Sequence, residues 1–235
     1  VREVVVTGGG TGIGLAIAKA FAELGDSVTV TGRREHVLKE TGFPYVAFNA
    51  ASPVAVNDAL GRLPVKVDVL VNNAGGNTNL DRADSDDLMD VAESWWANLN
   101  ANLLSAVLVT KALQRRISDG GRIISIGSIA ARGTGSGSYG AAKAALEAWT
   151  ADVAAELGPR GVTANVISPG LVVETEFFKG RLTDEGIKRR VEGTRNGRAG
   201  TPSDVAGTAV FLASPGARHV TGQVVHVNGG AYLGR

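Results

Sequence analysis

Tyr139 and Lys143 stand four residues apart in Tyr139-Gly140-Ala141-Ala142-Lys143, within a pattern that predicts a helix over 138–157. That spacing is one helical turn, so the two side chains share a face. A phenol beside an ammonium is a proton-transfer pair, because the positive charge favours the phenolate and draws the phenol down from about 10. Hydride addition to a carbonyl leaves an alkoxide that needs such an acid. Ser128 follows the apolar run Arg122–Ile126. A hydroxyl at the carboxyl end of a strand stands where open α/β sheets gather ligand groups, and it can donate to the same oxygen. Ser125 is a rival, but it falls within the run. A second constellation, Thr7-Gly8-Gly9-Gly10-Thr11-Gly12-Ile13-Gly14, follows the apolar run Val4–Val6 and opens a helical pattern that ends at Gly25. Glycines there permit a tight turn and close approach of the backbone to a pyrophosphate. The helix start offers free N–H groups to the same anion.

These groups need a scaffold that brings strand ends together. Val4–Val6, Val28–Thr31, Tyr45–Phe48, Val67–Val71, Arg122–Ile126, Val162–Ile167 and Val224–Val227 read as strands, β-branched and continuous, as in a sheet covered on both faces. Helical patterns lie between them, near 34–40, 53–62, 86–116, 138–157, 174–193 and 202–213. Strand–helix alternation predicts parallel strands and a doubly wound α/β sheet with helices on both faces, in one domain over 1–235. Among 235 residues, 44% are hydrophobic and 20% charged, which excludes a disordered chain. Cysteine is absent, so disulfides, thiol nucleophiles and cysteine-ligated metals are excluded. Lys+Arg 24 against Asp+Glu 23 argues against nucleic acid as partner. No apolar run approaches the roughly 20 residues of a membrane span, and a cytoplasmic protein without membrane contact is expected. His36, His219 and His226 are scattered, so no metal site is expected.

The glycine spacing T-G-x-x-x-G-x-G resembles the cofactor motif of the short-chain dehydrogenase/reductase family, and the rest of the chain continues the match. Asn72-Asn73-Ala74-Gly75 resembles its NNAG, Tyr139 through Lys143 its Y-x-x-x-K, and Ser168-Pro169-Gly170 its PG turn. Gly197–Pro202, Asp204-Val205-Ala206, Phe211–Ser214 and Thr221-Gly222-Gln223 through Gly230 follow its C-terminal third. The resemblance is to the compact single-domain branch, near the 3-oxoacyl-(acyl carrier protein) reductases. It implies a seven-stranded Rossmann fold and a catalytic tetrad of Asn102, Ser128, Tyr139 and Lys143. In that tetrad Asn102 holds a water in a proton relay through Lys143, and Lys143 grips the nicotinamide ribose. Asn102 is preferred over Asn98 and Asn100 because Leu103 and the apolar run after it match.

For the dinucleotide, the resemblance implies contacts from Gly8, Gly10, Thr11, Gly12, Ile13, Gly14, Arg33, Arg34, Asn49, Ala50, Asn73, Ala74, Gly75, Tyr139, Lys143, Pro169, Gly170, Val172 and Thr175. Gly32 stands where NAD-preferring members carry Asp, and Arg33 follows; a guanidinium is a natural fork for a 2′-phosphate, so NADP (NADPH) is expected over NAD. Thr11 stands where many NADP-preferring relatives carry a basic residue, which cuts the other way. Two departures stand out. Ser128 and Tyr139 are 11 apart rather than 12 or 13, and Thr175 comes one residue late after the PG turn.

Residues 174–196 match the family's substrate loop, where Phe177 and Phe178 present apolar surface. Lys179, Arg181, Lys188, Arg189, Arg190 and Arg195 give it a basic bias that would attract an acidic carrier protein. The expected activity is NADPH-dependent reduction of a ketone, a 3-oxoacyl thioester or a related compound. The alternative is oxidation of a secondary alcohol of a sugar, steroid or other small molecule, and a remote third reading is a non-catalytic dinucleotide sensor. Trp95 and Trp96 are expected in the core or at a subunit contact. The alanine-rich faces of 100–114 and 141–157 resemble the helix pairs through which relatives form homotetramers.

Overall fold

In the computed structural model, residues 1–178 and 180–234 are described. Among these residues seven strands form one parallel sheet: β1 Glu3–Thr7, β2 Ser27–Gly32, β3 Tyr45–Ala47, β4 Val67–Asn72, β5 Ile117–Ile126, β6 Thr163–Pro169 and β7 Val224–Val227. Their order across the sheet is β3-β2-β1-β4-β5-β6-β7, and each neighbouring pair is parallel. The order reverses between β1 and β4, and a ligand crevice opens at such a switch point, outside the carboxyl ends of the strands.

The helices are α1 Gly12–Glu23, α2 Glu35–Glu40, α3 Pro53–Ala59, α4 Leu88–Leu99, α5 Ser105–Leu113, α6 Gly137–Leu157, α7 Asp184–Glu192 and α8 Pro202–Leu212. The strands are apolar without alternation because successive residues serve opposite cores. Val4, Val6, Val69, Val71 and Ile124 face Ile17 and Phe21 of α1 and Val205 and Leu212 of α8. Val5, Leu70, Ile123 and Ala164 face Val56 of α3, Val109 and Leu113 of α5, and Val153 and Leu157 of α6. Burial on both faces is the main favourable term holding the layers together.

Three segments differ from the sequence reading. The expected helix over 86–116 is two helices joined by a wide π turn at Asn100–Leu104, and it stops at Leu113. β5 starts at Ile117 rather than Arg122, with a register shift opposite Val67 and Val69 that absorbs Ser118–Gly121, where Gly120 takes φ +72°. Among the described residues of 174–193, Asp184–Glu192 alone is α-helical. Ahead of it, Val172 bridges to Gly200, Gly180 takes φ +74°, and Thr183 caps α7 by accepting from the Gly186 N–H at 3.1 Å. Lys179, one of the basic residues of this stretch, lies outside the described residues.

Trp95 and Trp96 do not enter the core of this chain. They are 44% and 57% exposed on α4, beside exposed Leu88 and Met89, and the tryptophan packed against the core is Trp149. No helix among the described residues is long and apolar enough to cross a membrane.

Candidate active site

The turn after β1 and the turn after β4 are stitched into one surface. Thr7 Oγ1 accepts from the backbone N–H groups of Asn73 and Ala74, both at 3.0 Å, and donates to the Val71 carbonyl. Asn73 Nδ2 donates in return to the carbonyls of Thr7 at 3.1 Å and Gly8 at 2.9 Å. Gly8 takes φ +65°, and a Cβ on Gly14 would collide with the Gly8 carbonyl oxygen and the Asn73 amide. The glycines are therefore required by the close approach of two strand-end turns. Thr7, which the sequence reading quoted but did not place in the site, organises that approach.

Above this floor α1 begins with Thr11 as its N-cap, and its first turn carries no acidic residue. Its free N–H groups and positive dipole end suit a pyrophosphate. The glycine cradle and this helix start fit a dinucleotide. Arg33 and Arg34 follow β2 and are exposed; Arg34 pairs with Glu176 at 2.8 Å, while Arg33 has no partner among the described residues. Asn49 Oδ1 closes a turn on its own backbone at the Ala51 N–H, and the Ala50 side chain packs in the core. Gly170 follows β6 against Asn228, and Val172 is buried beyond it. The extra residue before Thr175 is absorbed at Glu174, which takes φ +60°. Thr175 then returns to lie against Gly12 of the phosphate turn.

Tyr139 and Lys143 share the inward face of α6 and are 6% and 5% exposed. The Lys143 ammonium donates to the Ile126 carbonyl at 2.8 Å and lies 5.9 Å from the centre of the Tyr139 ring. Ser128 caps the short turn after β5, accepting from the Ala130 N–H at 3.1 Å, and its hydroxyl lies near enough to the Tyr139 phenol to pull its pKa downward. The two hydroxyls thus converge from β5 and α6. Ser125, the rival, is fully buried and accepts from Thr150 at 3.2 Å.

The electrostatics differ from the sequence expectation. Burial pushes the Tyr139 phenol up to about 12, against a smaller downward pull from Ser128. Burial also draws Lys143 down to about 8. Desolvation disfavours whichever form is charged, so it raises the acid and lowers the base. At neutral pH Tyr139 is a protonated acid, the form required to give a proton.

Asn102 lies in the π turn, 1% exposed. Its Nδ2 donates to the carbonyls of Gly76 at 2.9 Å and Asn98 at 3.0 Å, and its Oδ1 accepts from the Gly76 N–H at 3.0 Å. The amide side chain is bonded to the wall beyond Asn73–Gly75. Asn98, which the sequence reading set aside, is the hub behind that wall. It is fully buried, donates to Asn79 Oδ1 and Ser138 Oγ at 2.9 Å each, and accepts from the Thr78 N–H at 3.1 Å. Ser94 donates to Asn79, and Asn79 to Ser138, the residue before Tyr139. The cofactor wall, α4 and the start of α6 are thereby tied together. Three polar residues at four-residue spacing (Ser94 and Asn98 on α4, Asn102 in the π turn) are the signal in the sequence.

The segment 174–178 closes over the opposite side. The Phe177 ring lies 5.7 Å from that of Tyr139 and 4.9 Å from Phe178. Arg190 sits over Phe178 at 5.6 Å, and Arg181 bonds the Leu80 carbonyl.

Known proteins share this architecture and sequence. The family described as Enoyl-(Acyl carrier protein) reductase matches residues 8–232. The 3-oxoacyl-(acyl-carrier-protein) reductase FabG of Vibrio cholerae is 36% identical over 99% of this chain and 98% of its own length. The short-chain reductase protein NovJ of Streptomyces niveus is 35% identical over 96% and 92%. Among solved structures, a short-chain dehydrogenase from Burkholderia cenocepacia J2315 in complex with NADP superposes with a TM-score of 0.84 at 33% identity, covering 98% of this chain and 97% of that one. A blue fluorescent protein from a metagenomic library in complex with NADPH gives 0.84 at 31%, covering 99% and 98%. With its glycine cradle, its tyrosine–lysine helix and these relatives over nearly its whole length, the chain is an oxidoreductase of the short-chain dehydrogenase/reductase family.

Proposed function

We propose that this protein is an NADPH-dependent ketoreductase that reduces a 3-oxoacyl thioester or related ketone to the secondary alcohol. The observation that carries the reading is the buried Tyr139 phenol near the Ser128 turn, with the Lys143 ammonium 5.9 Å from its ring centre. A neutral phenol is ready to give a proton to a nascent alkoxide, whereas alcohol oxidation needs it as a phenolate base. The names of the FabG relatives support the substrate class, and the solved NADP and NADPH complexes of similar proteins support the cofactor.

In this reading the residues of the phosphate turn (Gly8, Gly10, Thr11, Gly12, Ile13 and Gly14) hold the pyrophosphate, and Arg33 and Arg34 receive the 2′-phosphate. Asn73, Ala74, Gly75, Pro169, Gly170, Val172 and Thr175 wall the nicotinamide end. The bound cofactor supplies hydride to the carbonyl carbon. Ser128 donates to the carbonyl oxygen and polarises it. Tyr139 passes its phenolic proton to that oxygen as charge develops there. The Lys143 ammonium beneath the ring favours the phenolate that remains. Asn102 holds the wall at Gly76, so that the substrate carbonyl meets both hydroxyls. Phe177 and Phe178 exclude water from the reacting centre, and the basic face of 188–195 steers an acyl carrier protein. The alanine-rich faces of 100–114 and 141–157 are read as the contacts of a homotetramer, and exposed Leu88, Met89 and Trp96 on α4 add apolar surface for a subunit contact.

The test is initial-rate oxidation of NADPH and of NADH with an acetoacetyl thioester. Turnover preferring NADPH is the expected result. Tight NADPH binding without turnover rejects the 3-oxoacyl substrate and keeps the cofactor, and a clear NADH preference rejects the role given to Arg33 and Arg34.

A further inference from the structure

The two arginines after β2 are not equivalent. Arg33 carries no partner among the described residues, whereas the Arg34 guanidinium donates to Glu176 Oε2 at 2.8 Å. The same carboxylate oxygen faces Thr11 Oγ1 at 3.5 Å. Glu176 therefore bridges two cofactor elements, the phosphate turn before α1 and the opening of α2, from a third segment 142 residues away from Arg34 in sequence.

The placement of Glu176 is set by its neighbours in the chain. Glu174 takes φ +60°, Thr175 Oγ1 donates to the Val172 carbonyl at 3.4 Å while its methyl lies against Gly12, and Phe177 seats on the Tyr139 ring. With both members more than half exposed, the ion pair itself adds little to folding. Its consequence is for what Arg34 can offer an incoming anion. Glu35, the other carboxylate nearby, is already paired with Lys39 at 3.2 Å and bonded by Tyr45.

We propose that Glu176 is a specificity-determining residue whose carboxylate competes with the adenosine 2′-phosphate for Arg34 and so lowers the preference for the phosphorylated dinucleotide. The inference rests on the reading that Arg33 and Arg34 receive that phosphate. A phosphate dianion must displace or tolerate a fixed negative charge there. The plain 2′-hydroxyl of the other dinucleotide meets no such repulsion and can donate to a carboxylate. The effect is therefore selective and weakens as salt screens it.

The experiment is calorimetric titration of 2′,5′-ADP and 5′-AMP into the wild-type protein, Glu176→Gln and the double variant Arg33→Ala/Arg34→Ala. These fragments read the adenosine end without turnover. Glu176→Gln is expected to tighten 2′,5′-ADP about five- to tenfold at low salt and to leave 5′-AMP within about twofold. Equal tightening of both fragments, or of neither, overturns the proposal. Failure of the underlying reading looks different: wild type then binds 2′,5′-ADP no better than 5′-AMP, and the double arginine variant changes neither. As a second readout, the NADPH-to-NADH ratio of kcat/KM for Glu176→Gln is expected to rise by the same factor.

Discussion

Ser128 follows β5 and Arg34 follows β2, so both stand at the carboxyl edge of the same sheet, yet they are held by opposite means. At the β5 end, Tyr139, Lys143 and the Asn98–Asn102–Ser138 network are buried, and nearly every polar atom has a fixed partner. At the β2 end, Arg33, Arg34 and Glu176 are exposed, and one ion pair joins Arg34 to Glu176. Where chemistry depends on placing a proton within a fraction of an ångström, the chain invests in burial, which also sets the protonation states. Where only the cofactor's charged tail must be recognised, a solvated contact suffices, and single side chains retune it.

The largest effect that separates the two ends should come from Tyr139→Phe. It removes the acid and leaves the adenosine end intact, so kcat/KM should fall by about 10² to 10⁴ while 2′,5′-ADP binds as before. Unchanged turnover would remove Tyr139 from the mechanism.

Next comes pH. Lys143 is charged below about 8 and neutral above it, so its support of the phenolate fades as pH rises. The kcat/KM for ketone reduction should fall about tenfold per unit above about 8, and Lys143→Arg should push that limb to higher pH. Stability moves the other way. A folded lysine drawn below its ordinary 10.5 makes the unfolded chain the better proton acceptor between about 8 and 10.5, so folding should strengthen over that window. Lys143→Met should raise the thermal midpoint at pH 7 and lose that advantage as pH climbs through the same range.

Asn98→Ala should come third. It strands the Thr78 N–H and removes one of the donors to Ser138, costing about 1–3 kcal/mol in urea unfolding, and lowers kcat more than it raises KM because the wall at Gly76 loosens. A fall in stability with kcat intact would make the network structural only. The smallest effect is expected from Lys111→Ala, which breaks an exposed pair with Glu156 on the α5–α6 surface and should leave the unfolding midpoint unchanged within error.

Legibility in the sequence follows the same division. The phosphate turn, the Tyr139–Lys143 pair and all seven strands could be read because each is a local pattern whose spacing has a mechanical reason. β5 was read short because Asp119-Gly120-Gly121 has turn chemistry, although the ladder continues past it through a register shift. The helix expected from 174 failed because Glu174 and Gly180 take positive φ, and no periodicity announces that. Asn98 and Ser138 meet across 40 residues and Arg34 and Glu176 across 142, so their pairing exists only once the sheet has formed. The shifts on Tyr139 and Lys143 also lay beyond spacing alone, because spacing tells which charges are near and not how much water has been removed.

The wide turn at Asn100–Leu104 makes the rod from α4 through α5 a device of phase. It holds one residue more than an α-helical turn would, and Asn102 occupies it while Val109 and Leu113 stay in the core. A π turn spreads five residues over roughly the rotation that four take in an α-helix, so deleting one residue there would restore ordinary winding with α5 near its present phase. Val109 and Leu113 would keep their places in the core, and what the deletion removes is the out-of-step residue that lets Asn102 reach Gly76. The core should therefore tolerate loss of the extra residue, and the wall at Gly76 should not.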